Sequence, residues 1–327
     1  MTATTTAGDP KVFDNAYFKR RILGFRSEME FEAAMQARDD IEFFEGGQFF
    51  ITDKLQSDHY TRTFVYTTIS DSDPESYKEI YTKIASWKEM SFLYFARPSQ
   101  DNWNETSIMV KKEKGGEKIE GTILRPNFKL YKFNKEGGDF EEIDGGESGF
   151  DEMLNHFEKP QRDPNVYHLR ARELFDYFSE YDLEVLKKVY ATRYLMDVVM
   201  RKAKGKITID VDGFIKKDDR YYMIETKEKS PIVDTKGDQN KWKFGWDTRR
   251  VLWYLHMEPK VEIGIIYVIR EIDNRTDRNF QQWLAIKLDD FLKISSWGNI
   301  VGGGGGEDTV TAPYIHFQKL EDLIGSL

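Results

Sequence analysis

The chain has 327 residues, enough for two domains, and 39% hydrophobic with 14% aromatic residues can supply their cores. It has no cysteine, which excludes disulfides and thiolate metal centres and leaves oxygen or histidine as metal donors. The net charge is −9, yet residues 201–260 hold fifteen Lys or Arg against ten Asp or Glu, leaving −14 on the remainder; a basic island in an acidic chain suits a phosphate backbone, and a solvated charged surface reads the same way.

In chain order, residues 26–41 are predicted as an amphipathic helix, with Ser27 as cap and Glu30 three residues on. Residues 49–53 and 61–70 read as strands rich in aromatic and β-branched side chains. Asp73 before Pro74 is the order of an N-cap and first helical residue, so a helix is expected over 73–88. Strands are expected at 90–96, 106–112, 117–125 and 127–134. The Gly-rich, acidic stretch 135–150 reads as a loop or domain boundary. Residues 161–203 read as two helices, 207–229 as two strands, and 238–257 as a helix. The near-continuous apolar run 261–271 suits a strand buried on both faces. A strand at 282–288, a helix start after it, a flexible Gly302–Gly306 run and a final short strand and helix complete the chain.

The expected organisation is an N-terminal α+β domain (1–160), a second α/β domain (161–300) and a C-terminal extension (301–327). The five histidines (His59, His156, His168, His256, His316) show no zinc spacing. The first twenty residues lack the apolar run of a signal peptide, and no stretch is long enough to span a membrane, so a soluble cytoplasmic protein is expected. The aromatics Phe43, Phe44, Phe49, Phe50, Tyr60, Trp87 and Trp103 could stack on a base, although aromatics on strands more often build cores.

The chemistry concentrates in ITIDVDGFIKKDDRYYMIETKEK, residues 207–229. Strand alternation puts Asp210 and Asp212 on one face, and Glu225 and Lys227 on one face of the following strand. If the two strands pair as a hairpin, carboxylates and one ammonium meet at its open end. That suits a hard divalent cation with oxygen ligands, beside a lysine that can hold an anion or a water. Read alone, Asp212-Gly213 is also a turn, and Glu225 with Lys227 is also a solvated strand edge.

An acid at a strand end, followed by a strand bearing Glu-x-Lys, resembles the PD-(D/E)xK nuclease superfamily of restriction-endonuclease-like enzymes, over residues 165–300. Val211 stands where the motif's Pro would be, a position often altered in that superfamily. The resemblance implies a central mixed sheet flanked by helices, in the order helix, strand, strand, helix, strand, strand. It implies Asp212 and Glu225 as ligands of Mg²⁺, which Mn²⁺ can replace, with the Thr226 carbonyl as a further ligand. Lys227 becomes the catalytic lysine, and Glu184 the acid on the preceding helix, with Glu173 behind it. Asp210 is a candidate for a second metal or a supporting role.

Lys229, just past the motif, and Gln239, Lys241 and Lys243, opening the next predicted helix, are candidates for nucleic-acid contact. Of Arg249 and Arg250, one is expected to pair with an acid or pack, the other to reach DNA. The expected activity is metal-dependent DNA endonuclease, with a homodimer as partner arrangement and RNA as a further substrate to test. The competing readings are a structure-selective repair, recombination or phage nuclease, and a non-catalytic nucleic-acid-binding subunit.

Overall fold

A computed structural model describes residues 27–56, 59–111, 118–144, 166–168, 207–233, 238, 241–302 and 308–327. The protein is mixed α/β and divides into two compact units, one of residues 1–22 and 47–208, the other of 23–46 and 209–327. The second unit thus takes helix α1 (27–36) and the start of strand β1 (Glu42–Gln56) from the N-terminal part of the chain.

In the first unit, β1 from Gly47 onward pairs antiparallel with β2 (His59–Ile69). β2 runs parallel to β3 (Met90–Lys111), and the crossover holds a 3-10 turn (Pro74–Tyr77) and helix α2 (Lys78–Ala85). The expected cap forms: the Asp73 carboxylate accepts from the Glu75 N–H at 3.1 Å, with Pro74 next to it. β4 (Lys118–Asn134) joins β3, β5 (Asp139–Ile143) joins β4, and β6 (Val166–His168) runs beside β3. β5 lies inside the stretch expected to be loop: Phe140 packs on Tyr81, Phe95 and Phe133, and edge pairing with β4 outweighs the glycines around it. β6 likewise falls where helix was expected; the rest of 161–203, with Glu173 and Glu184, lies outside the described residues. Phe49, Phe50 and Trp87 are buried in this unit's core, which removes them from base stacking. Tyr60 and Trp103 lie outside the described side chains.

The second unit is built on a mixed sheet whose strands lie in the order Gln318–Lys319, Phe280–Lys287, Gly264–Ile272, Arg220–Lys229, Ile207–Lys217 and the start of β1. β7 (Ile207–Lys217) and β8 (Arg220–Lys229) form the expected hairpin, turning at Asp218 in the left-handed region (φ 54°). After β9 (Ile232–Val233), β10 (Trp242–Asp247) and helix α3 (Thr248–Val261), β11 (Gly264–Ile272) lies parallel to β8, and β12 (Phe280–Lys287) is antiparallel to β11. Helix α4 (Leu288–Ile294), strands β13 (Ser296–Gly302), β14 (Asp308–Pro313) and β15 (Gln318–Lys319), and helix α5 (Leu320–Gly325) follow. β13, β14, β10 and β9 make a second, small sheet.

α1 and α5 cover one face of the main sheet, where Phe31, Met35, Leu320 and Leu323 meet Ile215, Tyr222, Ile224, Ile266 and Val268. The alternate residues of β8 and β11 face the other way. There Trp246 of β10 stacks on Tyr267 (centroids 4.3 Å apart, 11° between planes) and meets Tyr254 of α3 and Phe291 of α4. Rings buried in this way each contribute about 1.5–3 kcal/mol.

The predicted helix over 238–257 is corrected. Trp242, Phe244 and Trp246 alternate with Lys243 and Gly245, and that period of two belongs to a strand, here paired with β14. The helix starts only at Thr248, where the Asp247 carboxylate caps it by accepting from the N–H groups of Arg249 (2.8 Å) and Arg250 (3.3 Å). Among the described residues no helix is long and apolar enough to cross a membrane.

Candidate metal and phosphate site

Asp212 and Glu225 stand side by side. The hairpin register puts Gly213 opposite Ile224, so each carboxylate residue is the next one outward on its strand. The Thr226 N–H donates to Asp212 Oδ2 at 2.6 Å, a short bond that fixes this side chain across the hairpin. β8 is an interior strand flanked by β7 and β11, with Tyr267 of β11 opposite Glu225. Interior position explains the burial: Glu225 is 0% and Asp212 5% exposed.

A carboxylate so deeply buried is costly unless it is paired. Glu225 has three partners. The Lys227 ammonium lies 2.7 Å from Oε1, and the Arg250 guanidinium and the Tyr254 hydroxyl donate to Oε2 at 2.6 and 2.8 Å. Arg250 also bridges to the Asp210 carboxylate and donates to the Asp210 carbonyl at 3.3 Å, an oxygen that lies 3.2 Å from the Tyr254 hydroxyl. Three acids therefore share two cations. One oxygen stands apart: Asp212 Oδ1 is buried and has no hydrogen-bond partner among the described residues.

The electrostatics follow from this crowding. Burial pushes the Asp212 carboxyl well above the usual carboxylate range, and the charges of Glu28, Glu225 and Asp210 add to that against the opposing Lys227. Burial also pushes Asp210 up, but Arg250 and Lys227 beside it outweigh that and hold it down at about 2. Burial disfavours the Lys227 ammonium, yet Glu225 and the neighbouring acids overcome this and keep it protonated beyond its ordinary range.

Of the residues expected from sequence, Asp212, Glu225, Thr226, Lys227 and Asp210 come together here. Glu184 and Gln239 lie outside the described residues. Lys229 is turned inward: its ammonium donates to the Gly245 carbonyl at 2.6 Å, and burial followed by the nearby Lys227 lowers its pKa to about 8. Lys241 is exposed and paired with Asp238 at 3.5 Å. Lys243 lies on β10 opposite Pro313, not at a helix start, so the helix-dipole reason for assigning it to phosphate does not apply. Glu228, beside Lys229, is buried between Arg270 (3.1 Å) and Arg278.

Two contributors were not singled out from sequence. Glu28, in the first turn of α1, acts electrostatically on Asp212 from a distant part of the chain, and no local pattern announces that. Tyr254 is one helical turn after Arg250, and that i, i+4 spacing on a capped helix does place both on one face.

Among the described residues no three His, Asp or Glu side chains form a ready metal cage. The residues present nonetheless fit a hard cation that keeps most of its own water. Asp212 offers an unpartnered oxygen, Glu225 a second one paired only with an ammonium, and the Thr226 carbonyl lies beside them, accepting from Lys227 at 3.1 Å. No protein-family profile and no curated protein matches this chain.

Proposed function

We propose that this protein is a Mg²⁺-dependent endodeoxyribonuclease of the PD-(D/E)xK kind, with its second unit as a restriction-endonuclease-like core. The observation that carries this reading is the pair of buried carboxylates at adjacent strand positions, one with an oxygen left unpartnered, next to a lysine held as a cation. The order β7, β8, α3, β11 and β12 around the main sheet supports it, with β9 and β10 of the small sheet inserted before α3, as does the packing of α1 on the same sheet.

Asp212, Glu225 and the Thr226 carbonyl would hold the cation, with Mn²⁺ able to replace Mg²⁺. When bound, the ion supplies an acidified water and draws charge from a phosphate oxygen. The chain's own groups do the rest. The Thr226 N–H fixes Asp212, Tyr254 fixes Glu225 Oε2, and the Lys227 ammonium would donate to the attacking water or the scissile phosphate. A homodimer would bring one such site to each strand of a duplex.

The test is incubation with plasmid, linear and branched DNA and with RNA, in Mg²⁺ or in EDTA, using the wild type, E225Q and K227A. Cleavage is expected only with Mg²⁺ and is expected to fall at least about a hundredfold in either variant. Cleavage that persists in EDTA or in E225Q refutes the proposal. Nucleic-acid binding without any cleavage favours a binding subunit instead. The cut ends and the preferred substrate decide between a sequence-reading and a structure-reading enzyme.

A further inference from the structure

We infer that Arg250 is a resident counter-cation that occupies the carboxylate site until a divalent cation displaces it from Glu225; this rests on the metal-site reading above. Arg250 is not a surface charge that happens to lie near an acid. Its guanidinium spans two carboxylates, donating to Glu225 Oε2 at 2.6 Å with one nitrogen and reaching Asp210 with the other. Together with Tyr254 it saturates Oε2. Lys227 takes the other oxygen, so in this state Glu225 is neutralised entirely from within the chain.

A divalent ion held by Glu225 and Asp212 would sit within about 5 Å of a guanidinium still bonded to the same carboxylate. At that range, in a buried site, the repulsion exceeds what one charged hydrogen bond returns. The guanidinium has somewhere to go. The Arg250 side chain is 19% and the Asp210 side chain 32% exposed, whereas Glu225 is closed off at 0%. Arg250 can therefore keep Asp210, release Glu225 and turn its freed nitrogens outward, where a phosphate oxygen is a fitting acceptor. The carboxylates stay compensated when no metal is present, and the affinity for metal is set by the strength of the internal pair.

Mn²⁺ binding without nucleic acid, followed by calorimetry and by the paramagnetic resonance of the free ion, separates the possibilities. R250Q is expected to bind Mn²⁺ about tenfold more tightly than wild type, because a competing charge has gone. R249Q, which removes the same charge from the adjacent position, is expected to change the affinity by less than about twofold, and D212N to lose binding. Unchanged or weaker Mn²⁺ binding in R250Q overturns the inference while leaving the metal site standing. Absence of Asp212-dependent binding in the wild type overturns both. Should R250Q fail to fold, crystals of the wild type soaked in Mn²⁺ give the answer: the Arg250–Glu225 bond is expected to be broken, and its persistence refutes displacement.

Discussion

Two glycines flank the site, and the cost of adding one methyl group to each should differ sharply. A Cβ on Gly46 would lie 1.8 Å from the Val211 carbonyl oxygen and 2.8 Å from the Asp212 carbonyl carbon. Both are backbone atoms of β7, the strand that carries Asp212, so no side chain can turn aside. Relieving the first contact to 3.0 Å needs a shift of at least 1.2 Å between β1 and β7. A Cβ on Gly213 meets the edge of the Phe43 ring at 2.6 Å, with the nearest backbone atom, the Phe44 oxygen, at 3.2 Å. Phe43 is half-buried, and its ring can give way. Overpacking costs about 1–3 kcal/mol where side chains adjust, so G213A is expected at the low end, about 1 kcal/mol, and G46A at about 3 kcal/mol or more. Because the G46A shift passes directly into Asp212, an ångström of displacement should also lower the proposed cleavage by about a hundredfold. Urea unfolding followed by tryptophan fluorescence measures the first quantity, and single-turnover cleavage at saturating Mg²⁺ the second. A G46A protein as stable and as active as wild type, or one less affected than G213A, would refute the close approach of β1 to the site strand.

Other expectations test the surroundings of the site. Y254F removes a hydroxyl that donates to the fully buried Glu225 at 2.8 Å, and should cost about 2 kcal/mol in urea unfolding without metal; an unchanged midpoint contradicts that bond. Burial, with the Asp289 charge, pushes Glu258 up from 4.5 to about 7. Its protonated form is thus favoured by folding, so its contribution to stability is complete below pH 4.5 and is lost as the pH rises through about 7. Partial exposure screens the effect to about 1 kcal/mol, so E258Q should match wild type at pH 4 and exceed it by about that much at pH 8. The substituted amide keeps an oxygen for the Ile265 N–H, which Glu258 now accepts at 3.2 Å, so equal stability of the two proteins at pH 8 would show that the group titrates normally. W246A empties a position between Tyr267, Tyr254 and Phe291 and should lower stability by about 3–5 kcal/mol in the same urea assay; a smaller loss would mean that β10 does not anchor that face.

The hairpin was legible because its signals are local. Alternation from Ile207 to Lys229 and the polar Lys217–Arg220 turn specify two strands, and their pairing brings Asp212 to Glu225 without outside help. The buried strand β11 was legible from its apolar run. The stretch before α3 misled because Trp and Phe at 242, 244 and 246 suit a helix as hydrophobic bulk, and only attention to their period marks a strand. β5 was hidden by the glycines on both sides, since an edge strand takes its stability from its neighbour and its Phe140 contacts rather than from its own composition.

The amino-acid order alone thus determined which residue types could do metal and phosphate chemistry, and that two of them lie on adjoining strands. Only the tertiary structure decided what surrounds them: that α1 belongs with residues 209–327, that Arg250 and Tyr254 close on Glu225, and that Lys229 turns inward to Gly245. Alternation and capping act over a few residues and leave a readable trace. Pairing between groups 25 or 29 positions apart, such as Glu225 with Arg250 and Tyr254, depends on how a strand and a helix pack, which no short stretch of sequence encodes.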